Sequence, residues 1–156
     1  MTNAGSSTRT RGFTLIELLI VIAVIGIMAG IAIPTFHSSI CKANEAAAVT
    51  SLNTIRLAQA KYVIDHGGQY GTFKELFEEG YLDKRFNYDR PHLRGYVFTL
   101  TLTPKSENQA ATFAANADPE QSDGITATGR NFYYIDEQNP ITFSKAGPAT
   151  PADEAL

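Results

Sequence analysis

Cysteine is almost absent from this chain of 156 residues, since Cys41 is the only one. A single cysteine cannot form an intramolecular disulfide, so no disulfide-bounded loop is expected. The cysteine count therefore does not indicate whether the protein works in an oxidising or a reducing compartment. An excess of positive charge is also lacking, because 13 Lys and Arg stand against 16 Asp and Glu, for a formal net charge of −3. This composition argues against a general nucleic-acid-binding protein, which normally carries a basic excess.

The short motifs of common enzyme classes are lacking as well. The sequence contains no phosphate-binding Gly-rich loop, no G-x-S-x-G and no H-E-x-x-H. His66 and His92 have no recognisable catalytic neighbours, and His37 and Cys41, although spaced like metal ligands on one helix face, lack a third ligand. We therefore expect no catalysis by this chain, no metal and no cofactor.

Two polar segments invite a binding role but favour a simpler interpretation. Residues 118 to 124, DPEQSDG, offer three carboxylates to a hard cation without the EF-hand pattern, so we predict an exposed turn. Residues 83 to 94, DKRFNYDRPHLR, interleave basic residues with Phe86 and Tyr88, as in proteins that grip a nucleic-acid strand. Asp83 and Asp89 dilute that charge, so we predict a solvated loop and no nucleic-acid partner.

The sequence does contain one long apolar segment, FTLIELLIVIAVIGIMAGIAI, residues 13 to 33. It is long enough to cross a bilayer core as a helix. Arg9 and Arg11 precede it and should stay cytoplasmic, which places the rest of the chain on the other side of the membrane. A conventional secretory signal peptide usually has a shorter apolar region than this one, and Glu17 inside the run also argues against that class.

Glu17 is the one charged residue in this segment. A carboxylate at the centre of a membrane helix costs about 2.5 to 3.5 kcal/mol on insertion scales, so such a residue is a candidate functional site. Glu17 lies near the start of the segment, however, where a side chain can reach the headgroup layer and suits the positive end of a helix. The residues alone leave both interpretations open.

The stretch RGFTLIELLIVIAVIGIMAGIAIP, residues 11 to 34, resembles the class III signal of type IV prepilins and of the related pseudopilins. Gly12 matches the last leader residue, Phe13 the residue that becomes the N-terminus, and Glu17 the fifth residue of the mature chain. The resemblance implies that a prepilin peptidase cleaves after Gly12 and methylates the new amino group of Phe13, while the apolar helix is retained. Pro34 falls where such proteins carry a helix-kinking proline.

The resemblance also implies assembly into a fibre. Glu17 would pair with the Phe13 amine of a neighbouring subunit, or alternatively with its own N-terminus. The implied partners are identical or homologous pilin subunits, the prepilin peptidase, an inner-membrane assembly platform with a separate ATPase, and the lipid bilayer before assembly. The implied location is the bacterial inner membrane, with a cytoplasmic N-terminus, and then an extracellular pilus or a periplasmic pseudopilus.

Gly26 and Gly30 form a G-x-x-x-G within the apolar segment. In a membrane these glycines would make a close-packing helix face. In a fibre, together with Pro34, they mark where the helix breaks or loosens, because proline lacks a backbone N–H and clashes with the carbonyl of Gly30. A third interpretation is that they are ordinary small residues of a membrane helix.

Periodicity predicts the rest of the fold. Ala48, Leu52, Ile55 and Tyr62 recur on one helix face, so we expect the helix to continue as an amphipathic half and to end at Gly67 and Gly68. Thr72 and Glu75 form a capping-box pattern for a short helix that stops at Gly80. Alternating or β-rich runs predict four strands, 96 to 103, 110 to 117, 131 to 136 and 140 to 144.

The prediction is therefore an α+β pilin fold, in which a long N-terminal helix packs on a small antiparallel sheet. Its parts are a leader (1–12), a transmembrane and fibre-core helix (13–33), an amphipathic helix half (34–66), a globular head (67–146) and a flexible tail (147–156). The expected function is that of a structural subunit of a type IV pilus-like filament. The alternatives are a pseudopilin of a type II secretion system, a single-pass membrane protein that does not polymerise, and a secreted protein with a conventional signal peptide.

Overall fold

The computed structural model describes residues 12 to 156, so most of the expected leader, including Arg9 and Arg11, lies outside the described residues. Helix α1 covers Leu15–Asp65 and α2 covers Phe73–Glu78, and a 3-10 turn covers Lys84–Phe86. The strands are β1 (His92–Leu93), β2 (Tyr96–Thr103), β3 (Thr112–Pro119), β4 (Phe132–Asp136), β5 (Thr142–Ser144) and β6 (Glu154–Ala155). This order confirms the predicted α+β class.

The described residues divide into two units, one ending at Phe36 and the other covering residues 37 to 156. In the first unit, the described residues from Phe13 to Ile33 are exposed. None of the most apolar window of α1 is buried by the rest of the chain, and α1 is the one helix among the described residues that is long and apolar enough to cross a membrane. The apolar half of α1 therefore makes no core of its own.

The second unit contains a six-stranded sheet in which every strand pairs antiparallel with the next one in sequence. The longest pairing joins β2 to β3, with Phe98 opposite Ala117 and Leu102 opposite Phe113. The four predicted strands are all present, with small differences at their ends. The two edge strands, β1 and β6, were not expected, and each is only two residues long.

The core of the second unit lies between one face of α1 and the inner face of the sheet. Ala48, Leu52, Ile55 and Tyr62, the predicted apolar face of the helix, are all buried. They belong to one apolar cluster with inward side chains of β2, β3 and β4, which are Tyr96, Phe98, Ala115, Ala117, Tyr133 and Ile135. Because β-strand side chains alternate between faces, this set comes from every second strand residue.

The segment after α1 is held by polar and ring contacts. Gly67 and Gly68 have φ values of 63° and 89°, the left-handed conformation that ends a helix at low cost in glycine. The buried Gln59 side chain donates to the carbonyl of Gly71 at 2.6 Å and accepts from its N–H at 3.0 Å. A Cβ on Gly71 would lie 2.9 Å from the Tyr62 ring, so only glycine fits there.

The last ten residues correct the expectation of a flexible tail. Strand β6 pairs with β5, placing Ala155 opposite Thr142 and Glu154 opposite Phe143. Further back, Ala149 is buried, and its carbonyl accepts a hydrogen bond from Asn116 Nδ2 at 2.9 Å. The physical reason is that the outer edge of β5 offers unpaired backbone groups, which a neighbouring extended segment can satisfy.

Candidate functional site

Helix α1 begins with a capping box formed by Thr14 and Glu17. Oε2 of Glu17 accepts hydrogen bonds from the backbone N–H of Thr14 at 2.9 Å and from the Thr14 hydroxyl at 2.8 Å. The N–H of Glu17 in turn lies 3.3 Å from Thr14 Oγ1. This reciprocal pattern satisfies backbone donors that the first turn of a helix leaves without partners. Glu17 therefore has a local role within its own helix.

Both bonds to the Glu17 carboxylate fall on Oε2, and Oε1 has no hydrogen-bond donor among residues 12 to 156. The carboxylate can thus cap its own helix with one oxygen and still accept a cation on the other. Sequence reasoning missed the role of Thr14. The signal was present, because Thr14-Leu-Ile-Glu17 has the same T-x-x-E pattern as Thr72 to Glu75.

Gly12 and Phe13 precede the helix and lie in no regular secondary structure. Both are exposed, Phe13 to 83%. A Cβ on Gly12 would meet no described atom within 4 Å, so the described part of the chain does not itself require glycine there. The peptide bond between these residues is therefore accessible to another protein.

Helix α1 runs through Gly26, Gly30 and Pro34 without interruption. A Cβ on either glycine would meet nothing within 4 Å outside the helix backbone, so packing within the chain does not explain them. Thr35 Oγ1 donates to the carbonyl of Ile31 at 3.1 Å, next to the position where proline supplies no N–H. Loosening of this stretch within a fibre stays a prediction.

The surface of α1 before Pro34 is apolar on all sides. Its exposed large side chains are Leu15, Ile16, Leu18, Leu19, Ile20, Val21, Ile22, Val24, Ile25, Ile27, Met28, Ile31 and Ile33. A contiguous exposed apolar surface of this extent marks a site of interaction with lipid or with other chains. This exposed apolar surface is therefore suited to binding. Glu17 is the one titratable side chain on it.

The other candidate groups do not form a site in the structure. The Sγ atom of Cys41 lies 3.8 Å from His37 Nδ1, so the two share a helix face as predicted, but the buried thiol donates to the carbonyl of Ala127 at 3.1 Å. Glu120 accepts from His92 Nδ1 at 2.8 Å, and Asp123 accepts from the Ser122 hydroxyl at 3.3 Å. Within residues 12 to 156, no group of three or more His, Cys, Asp or Glu could hold a metal ion.

The basic and aromatic segment from 83 to 94 is largely used by the fold. Arg85 pairs with Asp83 at 2.6 Å, and its hydrogen bonds hold the pKa of the Asp83 carboxyl below its usual value. Phe86 is buried and contacts the Phe98 ring edge-on at a centroid distance of 6.3 Å. Phe86 is therefore not available to stack on a nucleic-acid base, and Tyr88 is left as the exposed aromatic side chain of the segment.

Comparison with known proteins adds to this geometry. Residues 7–33 match the family model described as the prokaryotic N-terminal methylation motif. The chain is also 42% identical over 122 residues to the fimbrial protein EcpB of Eikenella corrodens, covering 72% of this chain and 74% of that protein. This chain belongs to the type IV pilin family.

Other relatives of this pilin match mainly over part of their length. The type IV major pilin protein PilA of Myxococcus xanthus is 40% identical over 79 residues, which cover 51% of this chain and 34% of that protein. The type IV major pilin protein PilE1 of Neisseria gonorrhoeae is 38% identical over 61 residues, or 39% of this chain and 37% of that protein. The pilin thus spans about a third of the length of these two relatives. No solved structure matches it.

Proposed function

We propose that this pilin is made as a prepilin, cleaved after Gly12, methylated at Phe13 and polymerised through its N-terminal helix. Before assembly, residues 13 to 33 hold it in the bacterial inner membrane, with the N-terminus in the cytoplasm. The observation that carries the proposal is the contrast within α1: its most apolar window is unburied in the chain, whereas Leu52 and Ile55 in the other half are fully buried.

The uncovered half needs two successive environments, lipid first and neighbouring subunits later. Lipid tails are as apolar as leucine side chains, so moving this surface from lipid to protein gives little net hydrophobic gain. Extraction from the membrane therefore requires work supplied from outside the subunit. The partners in the proposal are the prepilin peptidase and an inner-membrane assembly platform with a separate ATPase, since the sequence has no phosphate-binding loop of its own.

Glu17 selects the stagger between subunits in this proposal. Cleavage creates a cationic amine on Phe13, and the Oε1 atom of Glu17 has no donor within the described chain to compete for it. Removing one partner of a buried ion pair typically costs about 3 to 5 kcal/mol, so an arrangement that pairs every carboxylate is strongly favoured over one that does not. Pairing with its own N-terminus remains the competing geometry.

The relatives' names support a surface fibre over a pseudopilus of a type II secretion system. They read "major pilin" and "fimbrial protein", and each describes that relative only. The proposed mechanism of the chain is assembly rather than catalysis.

The proposal is tested by analysing subunits sheared from the cell surface. N-terminal sequencing should begin at Phe13, and the intact mass should include one added methyl group. Electron microscopy of the same fraction should show fibres. A subunit that begins at Met1, or beyond Ile33 as after conventional signal cleavage, would contradict the proposal.

A further inference from the structure

A polar groove lies in the second unit, close to the point where α1 enters that unit. It is an open groove of about 710 Å³, lined by Lys42 of α1, by Arg130 and by Lys145, together with Glu45 and Asp123. The three cations come from three separate segments of the chain, the helix, the loop before β4 and the loop after β5. The fold therefore assembles this cluster, which no sequence window contains.

None of these three cations forms an ion pair with a described residue. The two carboxylates in the groove are occupied by uncharged donors instead. Glu45 accepts from the backbone N–H of Arg130 at 2.8 Å and from Asn131 Nδ2 at 3.3 Å, and Asp123 accepts from the Ser122 hydroxyl at 3.3 Å. The cations are thus left to bind an anionic partner.

An exposed isoleucine lies on the loop that forms one wall of the groove. Ile125 is 90% exposed, the largest exposed fraction of any large apolar side chain in the described chain. Its loop is fixed to α1, because Cys41 Sγ donates to the carbonyl of Ala127 at 3.1 Å and Asn44 Nδ2 donates to that of Thr128 at 2.8 Å. The loop therefore presents an apolar tip beside a group of cations.

We propose that Ile125 and the groove form a membrane-docking surface that holds the second unit on an anionic phospholipid surface before assembly. Lys42, Arg130 and Lys145 contact lipid phosphates, and Ile125 enters the boundary between headgroups and acyl chains. The combination of basic residues and an apolar tip is the one that interfacial segments use. Lys42 also follows shortly after Ile33, where the apolar run ends, so the groove begins close in sequence to the proposed span.

The contact can be weak and still be occupied. A Lys or Arg near an anionic bilayer surface strengthens binding about fivefold. The apolar helix already holds the chain at the membrane in this proposal. The groove and Ile125 therefore meet the lipid surface at a high local concentration, as in an intramolecular contact. This inference rests on the membrane-inserted stage of the proposed function.

The test uses the full chain in vesicles, with Ile125→Trp as a reporter, because the natural sequence has no tryptophan. One vesicle type contains phosphatidylcholine and the other also contains phosphatidylglycerol, both with brominated acyl chains that quench tryptophan on contact. We expect quenching at position 125 to be at least about fivefold stronger in the anionic vesicles. Ile64→Trp is the matched control, since Ile64 is 78% exposed near the other end of α1 and should not be quenched.

The cations are tested by adding Lys42→Gln, Arg130→Gln and Lys145→Gln to the reporter chain. Quenching in anionic vesicles should then fall to the phosphatidylcholine level, as it should for the unchanged groove at about 1 M salt, where the Debye length is near 3 Å. Equal quenching in both vesicle types, or quenching unaffected by the three substitutions, would overturn the inference. The inference would also be overturned if the three substitutions changed fibre yield while tryptophan at position 125 was never quenched. The groove would then serve contacts between subunits.

Flotation of the vesicles separates this inference from the proposed function. A chain that does not float with either vesicle type lacks the membrane-inserted stage, and the proposed function itself fails. A chain that floats with both but shows no quenching at position 125 refutes only the docking surface.

Discussion

At the scale of single residues, Glu17 combines a local contact with the proposed contact to another subunit. Its Oε2 atom closes the capping box with Thr14, whereas Oε1 has no donor in the described chain. Glutamine also closes a capping box, so a change from glutamate to glutamine removes the charge while keeping the start of the helix. This allows the two contacts to be tested separately.

We expect Glu17→Gln to be processed normally and to lower fibre yield at least about tenfold, because a buried Phe13 amine would lose its partner. The measurement compares processed subunit in membranes with subunit in sheared fibres from the same cells. Glu75→Gln is the matched control, since Glu75 caps α2 in the same way and should leave fibre yield unchanged. Normal fibre yield from Glu17→Gln would mean that the carboxylate serves only its own helix or the headgroup layer.

Gly12→Val should block processing. The described chain leaves space around Gly12, so the requirement for glycine is expected to come from the narrow active site of the peptidase. An immunoblot should show the variant accumulating as the longer precursor in the membrane. Ala4→Val, a change elsewhere in the leader, is the control and should mature normally. Full maturation of Gly12→Val would refute cleavage after this residue.

Because the carboxyl group of Asp118 is partly buried, we expect the stability of the second unit to depend on pH. Its buried Oδ1 atom has no hydrogen-bond partner among residues 12 to 156, and burial raises the pKa of Asp118 above its ordinary value of 3.8, against an opposing effect of Arg90. A raised folded-state pKa means that folding favours the protonated acid. The stabilisation is therefore fully present below the unfolded pKa and is lost as pH rises through the folded pKa.

Asp118→Asn should consequently stabilise the second unit at neutral pH, because it removes a partly buried charge. The gain should be at most about 1 kcal/mol, since partial exposure screens that charge. The gain should disappear near pH 3, where the wild-type carboxyl is protonated. Denaturant unfolding of the full chain in detergent at the two pH values measures both effects. The control is Asp123→Asn, an exposed position that should be neutral. A variant less stable than wild type at neutral pH would show that the charge is favourable here.

At the scale of elements, the amphipathic half of α1 has one buried face and one exposed face. Leu52 is fully buried against the sheet, whereas Leu57 on the same helix is 63% exposed. Truncation of a buried leucine leaves a cavity as well as losing transfer free energy. The two leucines therefore test directly which face of the amphipathic half meets the core.

Leu52→Ala should lower the free energy of unfolding by about 2 to 5 kcal/mol. Leu57→Ala should change it by less than about 0.5 kcal/mol, as is usual for a surface position. Chemical denaturation followed by circular dichroism gives both values. A larger loss from Leu57→Ala than from Leu52→Ala would place the sheet on the opposite face of the helix.

The sequence predicted those elements in which apolar residues recur at a regular spacing. The spacing of Ala48, Leu52, Ile55 and Tyr62 placed the buried face of α1, and the alternation from Tyr96 onward located β2. Strands β1 and β6 are two residues each, too short to show alternation, and they exist because neighbouring strands offer open edges. In the N-terminal segment, the apolar run and Glu17 were evident, but the capping role of Thr14 was overlooked although its pattern was present.

At the scale of the whole molecule, the strand order has a consequence for the sequence of events in folding. Each strand pairs with the one that follows it in sequence, from β1 to β6. No strand has to wait for a partner from a distant part of the chain, so loop closure is short throughout and folding is expected to be fast. The sheet can grow strand by strand in the order of synthesis, until β6 pairs with the free edge of β5. Exposed strand edges promote aggregation during folding, and in this order each new strand can pair at once with the strand before it.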